Sequence, residues 1–198
     1  MEIKFEEIIS SFSEKRVGIS NDFLTIELAS NLKNRLLSLY ANEALELAKV
    51  GNDHLLSHNK EIRNDKIFWL KKQDNNKYEH VFFDLIDAFV SYLNSTCFAG
   101  IKSYEFHYAI YEKGAFYKKH IDQFKSDESR EFSMIIYLNE GWTVGDGGEL
   151  KIFHQTNIQV ISPKNKKCVF FKSNELPHEV LPTNVSRMSI TGWLKSTL

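Results

Sequence analysis

His120 and Asp122 stand two apart in FYKKHIDQF (116–124), separated by one aliphatic residue. In an extended segment, residues i and i+2 point to the same face, so an imidazole and a carboxylate meet there. Such a pair can be a surface contact, a buried hydrogen bond or part of a metal site. With 26 acidic residues in 198, seven histidines give about one His-x-acid match by chance, so the pair alone decides nothing. Other residues add weight. His178 opens HEVLP, Arg187 follows nine positions later, and the glycine-rich turn GDGGEL falls between the two histidine segments. Two imidazoles and one carboxylate can fill one face of an octahedral iron and leave three positions open. That suits non-haem Fe(II) oxygen chemistry. Zinc is the competing metal, although a catalytic zinc site often adds a different ligand set and a carboxylate base nearby.

Strand geometry makes Arg187 informative. Along 187–193, Arg187, Ser189, Thr191 and Trp193 share a face, while Met188, Ile190 and Leu194 take the other. An arginine heading an inward row is costly unless it meets an anion. Its guanidinium holds a carboxylate bidentately, so a dicarboxylate cosubstrate can chelate iron at one end and pair with Arg187 at the other. Tyr137 shares a face with Ser133, Ile135 and Asn139 and can offer its hydroxyl to the same carboxylate. His107, on the face of Ala109 and Tyr111, reads as a core or neighbouring histidine rather than a ligand. Ile121 is expected to turn away into a packing layer, and the aromatics Phe116, Tyr117 and Phe124 to serve packing.

The elements that must position these groups change character near residue 100. The stretch 21–50 carries apolar residues at helical spacing through Leu32, Leu36, Leu37 and Tyr40, with Asn21, Asp22 and Thr25 as candidate caps. VFFDLIDAFVSYLN (81–94) predicts a second amphipathic helix, and 58–70 a polar loop leading into a strand. Beyond residue 100, SYEFHYAIY, EFSMIIYLN, GELKIF, IQVIS, CVFFK, HEVLP and RMSITGWL follow one another, separated by turn signals. Many short strands with regular turns predict a barrel or sandwich. With no Pro/Gly/Ser linker and no internal repeat, the expectation is one α+β domain over 1–198, mainly β, with helices packed outside a β core.

The bulk properties narrow the function. A formal net charge of −1 gives no global pull toward nucleic acid or membrane. Two cysteines, Cys97 and Cys168, suggest neither a disulfide framework nor a zinc finger, and a reducing, cytoplasmic setting fits. The first residues lack the apolar core of a signal peptide. No apolar run long enough to span a membrane occurs.

Taken together, these segments resemble the Fe(II)- and 2-oxoglutarate-dependent dioxygenases, in the prolyl hydroxylase branch that includes HIF-type enzymes and their bacterial relatives. EIRNDKIFWL (61–70) resembles the loop and strand that close over a peptide substrate. YEKGAFYKKHIDQF (111–124) resembles the first metal-ligand segment, SMIIYLNEGW with GGELKIF the central strands, and LPHEVLPTNVSRMSITGWL (176–194) the closing motif. The resemblance implies a double-stranded β-helix of jelly-roll type over 101–198, with helical support and a substrate loop in 1–100. It implies His120, Asp122 and His178 as iron ligands, and Arg187 and Tyr137 on the distal carboxylate of 2-oxoglutarate. Tyr111 would line the cosubstrate pocket, Thr191 and Trp193 the site wall, and Arg63 and Asp65 the substrate loop. The implied reaction hydroxylates a prolyl residue in a protein, with succinate and CO2 released from 2-oxoglutarate and O2, ascorbate being a further candidate cofactor. YEKGAFYKKH is one residue shorter than its animal counterpart and richer in lysine, which implies a bacterial-type member and a substrate other than HIF, with a translation factor as the candidate. Two alternatives stay open: an oxygenase for a nucleic acid or small molecule, and a non-catalytic metal-binding module. Nucleic acid is disfavoured by the charge, and because Trp193 stands where the demethylase class carries a second arginine.

Overall fold

A two-residue period in the second half of the chain and a helical period in the first sort it into a β core with helices on one side. The computed structural model describes residues 2–48, 61–123 and 128–197. Helix α1 (Glu2–Lys15) leads into β1 (Val17–Ser20); α2 (Ile26–Ala41) precedes β2 (Glu46–Leu47) and β3 (Lys66–Trp69); α3 (Lys77–Cys97) closes the first half. Then come β4 (Ser103–Tyr111), β5 (Tyr117–His120), β6 (Arg130–Tyr137), β7 (Leu150–Phe153), β8 (Ile158–Ile161), β9 (Cys168–Lys172), β10 (His178–Val180) and β11 (Arg187–Lys195). Seven strands form a major sheet in the order β1-β9-β6-β11-β4-β3-β2, and four form a minor sheet, β5-β10-β7-β8. The named pairs are antiparallel.

The helices form where capping and apolar spacing agree. The Thr25 hydroxyl accepts the Leu28 amide, and Leu28, Leu32, Leu36 and Leu39 fall on one buried face of α2. The Asn76 side chain accepts the amides of Tyr78 and Glu79, and α3 buries Phe82, Phe83, Ile86, Phe89 and Leu93 before ending at Phe98 in the left-handed region. Helix α3 contains the expected 81–94, whereas α2 is shorter than the expected 21–50: it stops at Ala41, and Glu46–Leu47 are extended in β2. Helix α1 and strand β1 went unpredicted, because α1 fully buries only Phe5 and Ile8 and its apolar stripe is correspondingly thin.

Alternation along β4 builds two cores. Phe106, Tyr108 and Ile110 join Met134, Ile136, Phe170, Ile190 and Leu194 under the helices. Ala109 and Tyr111 point the other way and meet Ile135, Tyr137, Leu150, Ile152, Val169 and Phe171 between the two sheets. The long β4–β11 register pairs Arg187 with Tyr111, Ser189 with Ala109, Thr191 with His107 and Trp193 with Glu105. The inward row read from the sequence is therefore the row that faces the inter-sheet space. A cavity of about 810 Å³ opens there. Among the described residues, no helix is long and apolar enough to cross a membrane.

Candidate metal and cosubstrate site

Strand pairing brings the two histidines together: β10 sets His178 opposite His120 on β5. Strand β5 ends at His120, so Asp122 lies in the bend beyond it rather than on the strand. There the Gln123 amide donates to the Ser173 carbonyl, and Arg130 reaches the Asp122 carbonyl at 3.3 Å. One ligand atom from each of His120, Asp122 and His178 lies within 4.8 Å of the others. The Asp122 carboxylate approaches His120 Nε2 at 3.3 Å and His178 Nε2 at 3.6 Å.

The remaining hydrogen bonds fix the protonation pattern. His120 Nδ1 is 2.8 Å from the Lys118 carbonyl, and His178 Nδ1 is 3.0 Å from the Leu176 carbonyl. A carbonyl oxygen only accepts, so both Nδ1 atoms carry protons. In the neutral rings both Nε2 lone pairs then converge on the carboxylate. Burial lowers the His178 pKa to about 4, against the pull of Asp122, so that ring is neutral near pH 7. Burial alone would raise the Asp122 pKa. The positive charge of the facing imidazoles when they are protonated, and the Ser133 hydroxyl, donating at 2.6 Å, outweigh it and hold the carboxyl well below its ordinary range. Two lone pairs and an anion facing one another in a buried place are mutually repulsive unless a cation sits among them. The donor set fits a divalent ion of the iron type, with outer partners already orienting each ligand.

Arg187, only 2% exposed, lies at another part of the same cavity. Its Nε donates to the Gly148 carbonyl at 2.8 Å, and the guanidinium carbon lies 4.8 Å and 5.0 Å from the ring centres of Tyr111 and Tyr137. Among the described residues, no carboxylate comes within ion-pair distance of it. Among the described residues, the buried Tyr137 hydroxyl has no hydrogen-bond partner; burial pushes its pKa up to about 12 against the pull of Arg187, so it remains a donor. A buried cation without an anion, beside an unspent hydroxyl, fits a carboxylate of 2-oxoglutarate. The glycine-rich turn has a steric purpose here. Gly148 sits at φ +73°, and a Cβ on it would stand 2.8 Å from Arg187 Cδ and 3.1 Å from Thr183 Cβ.

The other predicted site residues fall as follows. Tyr111, Thr191 and Trp193 line the cavity, as does Arg63. Asp65 is fully buried and binds Arg63 through two contacts of 2.8 and 2.6 Å. Arg63 in turn covers the Tyr117 ring at 4.2 Å, and Tyr117 stacks on His120 at 3.5 Å and 12°. The pair is thus an internal brace for a ligand ring rather than a surface contact, and Tyr117 packs against the site directly. Ile121 departs from expectation. It is 43% exposed on the cavity rim rather than in a packing layer, because the chain has already left the strand. Phe124 lies outside the described residues. Sequence reasoning missed Ser133 as the partner of Asp122, Gly148 as the seat of Arg187, and Arg130, which lies 3.6 Å over the Trp193 ring and 2.7 Å from Glu105.

Comparison with known proteins agrees with this geometry. The fold is that of prolyl hydroxylases: a Pseudomonas putida prolyl-4-hydroxylase superposes with a TM-score of 0.88 at 29% identity, covering 98% of this chain and 100% of that one. A Trichoplax adhaerens prolyl hydroxylase, solved with a hypoxia inducible factor peptide, has the same fold at a TM-score of 0.88 and 24% identity, over 98% and 90% of the two chains. Residues 106–195 match the family model of the 2OG-Fe(II) oxygenase superfamily. Human Egl nine homolog 1 is 27% identical over 98% of this chain and 47% of its own length. The Caenorhabditis elegans hypoxia-inducible factor prolyl hydroxylase is 32% identical over 69% and 20%. This chain therefore spans less than half the length of these two curated relatives. The match to the 2OG-Fe(II) oxygenase superfamily thus lies in the second half of the chain, and over nearly its whole length this chain is similar to prolyl hydroxylases, a class that works with Fe(II), 2-oxoglutarate and O2.

Proposed function

We propose that this chain hydroxylates a prolyl residue in a protein substrate, using Fe(II), 2-oxoglutarate and O2. One oxygen atom enters the new hydroxyl and the other the carboxylate of succinate, as 2-oxoglutarate loses CO2. The observation that carries the proposal is the pairing, in one cavity, of a convergent His120–Asp122–His178 set with a buried Arg187 that has no anionic partner among the described residues. Held by those three side chains, Fe(II) supplies the redox chemistry that activates O2.

The protein's own groups do the rest. Arg187 and the Tyr137 hydroxyl bind the far carboxylate and so fix the reach of the cosubstrate toward the triad. Tyr111 flanks the guanidinium and keeps water from it. The neutral His178 ring keeps its Nε2 free of a proton, the Lys118 carbonyl orients the His120 ring through Nδ1, and Ser133 holds the Asp122 carboxylate in one orientation. Thr191 and Trp193 wall the space toward the mouth, and Arg63, pinned by Asp65, borders the place a peptide would enter. The partner class is a protein offering an accessible proline, with a translation factor as the candidate that the bacterial resemblance implies. Two free cysteines, Cys97 and Cys168, suit work in a reducing cytoplasm.

The test is turnover of 2-oxoglutarate to succinate by purified protein with Fe(II), dependent on a proline-containing protein fraction. Asp122→Ala is expected to abolish it. Undiminished turnover by that variant would refute the assignment.

A further inference from the structure

The cavity wall holds a histidine that neither metal binding nor cosubstrate binding uses. His107, 3% exposed, lies between Trp69 and Trp193, with ring centres 5.0 and 5.5 Å away. It lines the cavity. In strand register it pairs with Thr191 on one side and Trp69 on the other. Tyr111 and Arg187 pair two inward positions further along the same strands. His107 thus stands between the carboxylate-binding end and the rim, where Trp69 is partly exposed.

Its hydrogen-bonding state is unusual. Among the described residues, the Nδ1 atom is sealed from solvent and has no hydrogen-bond partner, and the Nε1–H of Trp193 on the same wall has none either. Burial, aided by Arg63, lowers the His107 pKa to about 3, so the ring is neutral near pH 7. A neutral imidazole has one N–H and one lone pair. Buried N–H groups without an acceptor are rarer than under-used acceptors, so the sealed Nδ1 carries the lone pair and the proton sits on Nε2. With Nδ1 sealed, Nε2 is the nitrogen left to face the cavity. The wall therefore presents a donor framed by aromatic faces.

That combination matches a proline more closely than it matches other residues. Proline has no N–H, so its main chain offers only acceptors, and its apolar ring suits aromatic surfaces of the kind that bind proline-rich segments. We propose that His107 is a positioning residue for the substrate: its Nε2–H donates to a main-chain carbonyl beside the target proline while Trp69 and Trp193 flank the pyrrolidine ring. This rests on the prolyl hydroxylase reading above.

The test uses wild-type protein, His107→Gln, which keeps an N–H donor, and His107→Met, which fills the space without one. Each is loaded with Fe(II) and 2-oxoglutarate and given a pool of short peptides with one fixed proline and varied flanks. Oxygen incorporation at proline is read by mass spectrometry. His107→Met is expected to raise KM for the modified peptides by about tenfold or more, with His107→Gln restoring most of the loss. Nitrogen NMR of the Zn(II)-loaded protein is expected to show the His107 ring neutral, with its proton on Nε2. An unchanged KM in His107→Met, a proton on Nδ1, or a loss in that variant confined to 2-oxoglutarate affinity would overturn the proposal. If wild-type protein modified no peptide while the NMR result held, the functional reading would fall and the proposal with it. A failure confined to the variants would leave that reading standing.

Discussion

Replacing Arg187 by Met probes the cosubstrate end of the cavity. In the free protein the guanidinium is buried, held by one bond to Gly148 and two aromatic faces, with no carboxylate partner among the described residues. Its desolvation is therefore uncompensated until an anion arrives. A bidentate carboxylate supplies two charge-assisted bonds of about 1.5–3 kcal/mol each. Losing both should cost roughly 3–6 kcal/mol, or about a 100- to 10,000-fold rise in Kd for 2-oxoglutarate. The free variant should be as stable as wild type or more so, because a buried cation without its partner is removed. Calorimetric titration of the Mn(II)-loaded protein measures the affinity. Thermal unfolding gives an independent check. At 100 times Kd, ligand binding stabilises by about 2.7 kcal/mol, which for a domain of this size is roughly 5–10 °C in Tm. The wild type should show that shift and Arg187→Met should not at the same concentration. Affinity within about tenfold of wild type, or a free variant weakened by several kcal/mol, would refute the reasoning and make Arg187 a structural post.

Three more outcomes follow from the site. Ser133→Ala removes the hydroxyl that orients Asp122 and should weaken Mn(II) affinity about 10- to 100-fold with the fold intact; unchanged affinity by titration would contradict that role. Gly148→Ala places a methyl 2.8 Å from Arg187 Cδ at a positive φ, so urea unfolding should show a loss of about 1–3 kcal/mol, and 2-oxoglutarate should bind more weakly; a neutral substitution would argue against the seat. The metal-free protein should lose stability as pH falls. Folded His107 and His178 protonate only near about 3 and about 4, whereas the unfolded chain takes up those protons near 6.5. The stability is therefore full above that pH and declines below it, by about 2 kcal/mol per ring at pH 5, and His107→Gln should remove about half of the slope. Equal urea midpoints at pH 8 and pH 5 would contradict this.

The inward row of β11 was legible because alternation is a strict consequence of strand geometry, and Arg187 at its head was the one charged member of the row over 187–193. His120 and His178 were legible as candidates by residue type, but their meeting depends on a β5–β10 pairing that no local pattern announces. Asp122 was found through an extended-chain argument, although it sits one bend past the strand, and the same argument misplaced Ile121. The partners of the ligands were hidden for another reason. Ser133 reaches Asp122 from β6, and Gly148 accommodates a side chain 39 positions away; contacts of that kind exist only after folding. Helix α1 escaped notice because its register is set by packing on β1 and β9 more than by its own periodicity. His107 shared a face with Tyr111 in the sequence, but only the unsatisfied Nδ1 and the flanking tryptophans give it a role.

The most direct test of the central claim is isotopic. Protein loaded with Fe(II) and 2-oxoglutarate is incubated under labelled O2 with proteins from a host lacking the gene, and proline residues are searched by mass spectrometry. The account predicts one labelled oxygen atom on a proline of a discrete protein, dependent on 2-oxoglutarate and absent with Asp122→Ala. Label that appears equally with Asp122→Ala, or 2-oxoglutarate consumption with no proline labelled, would contradict it.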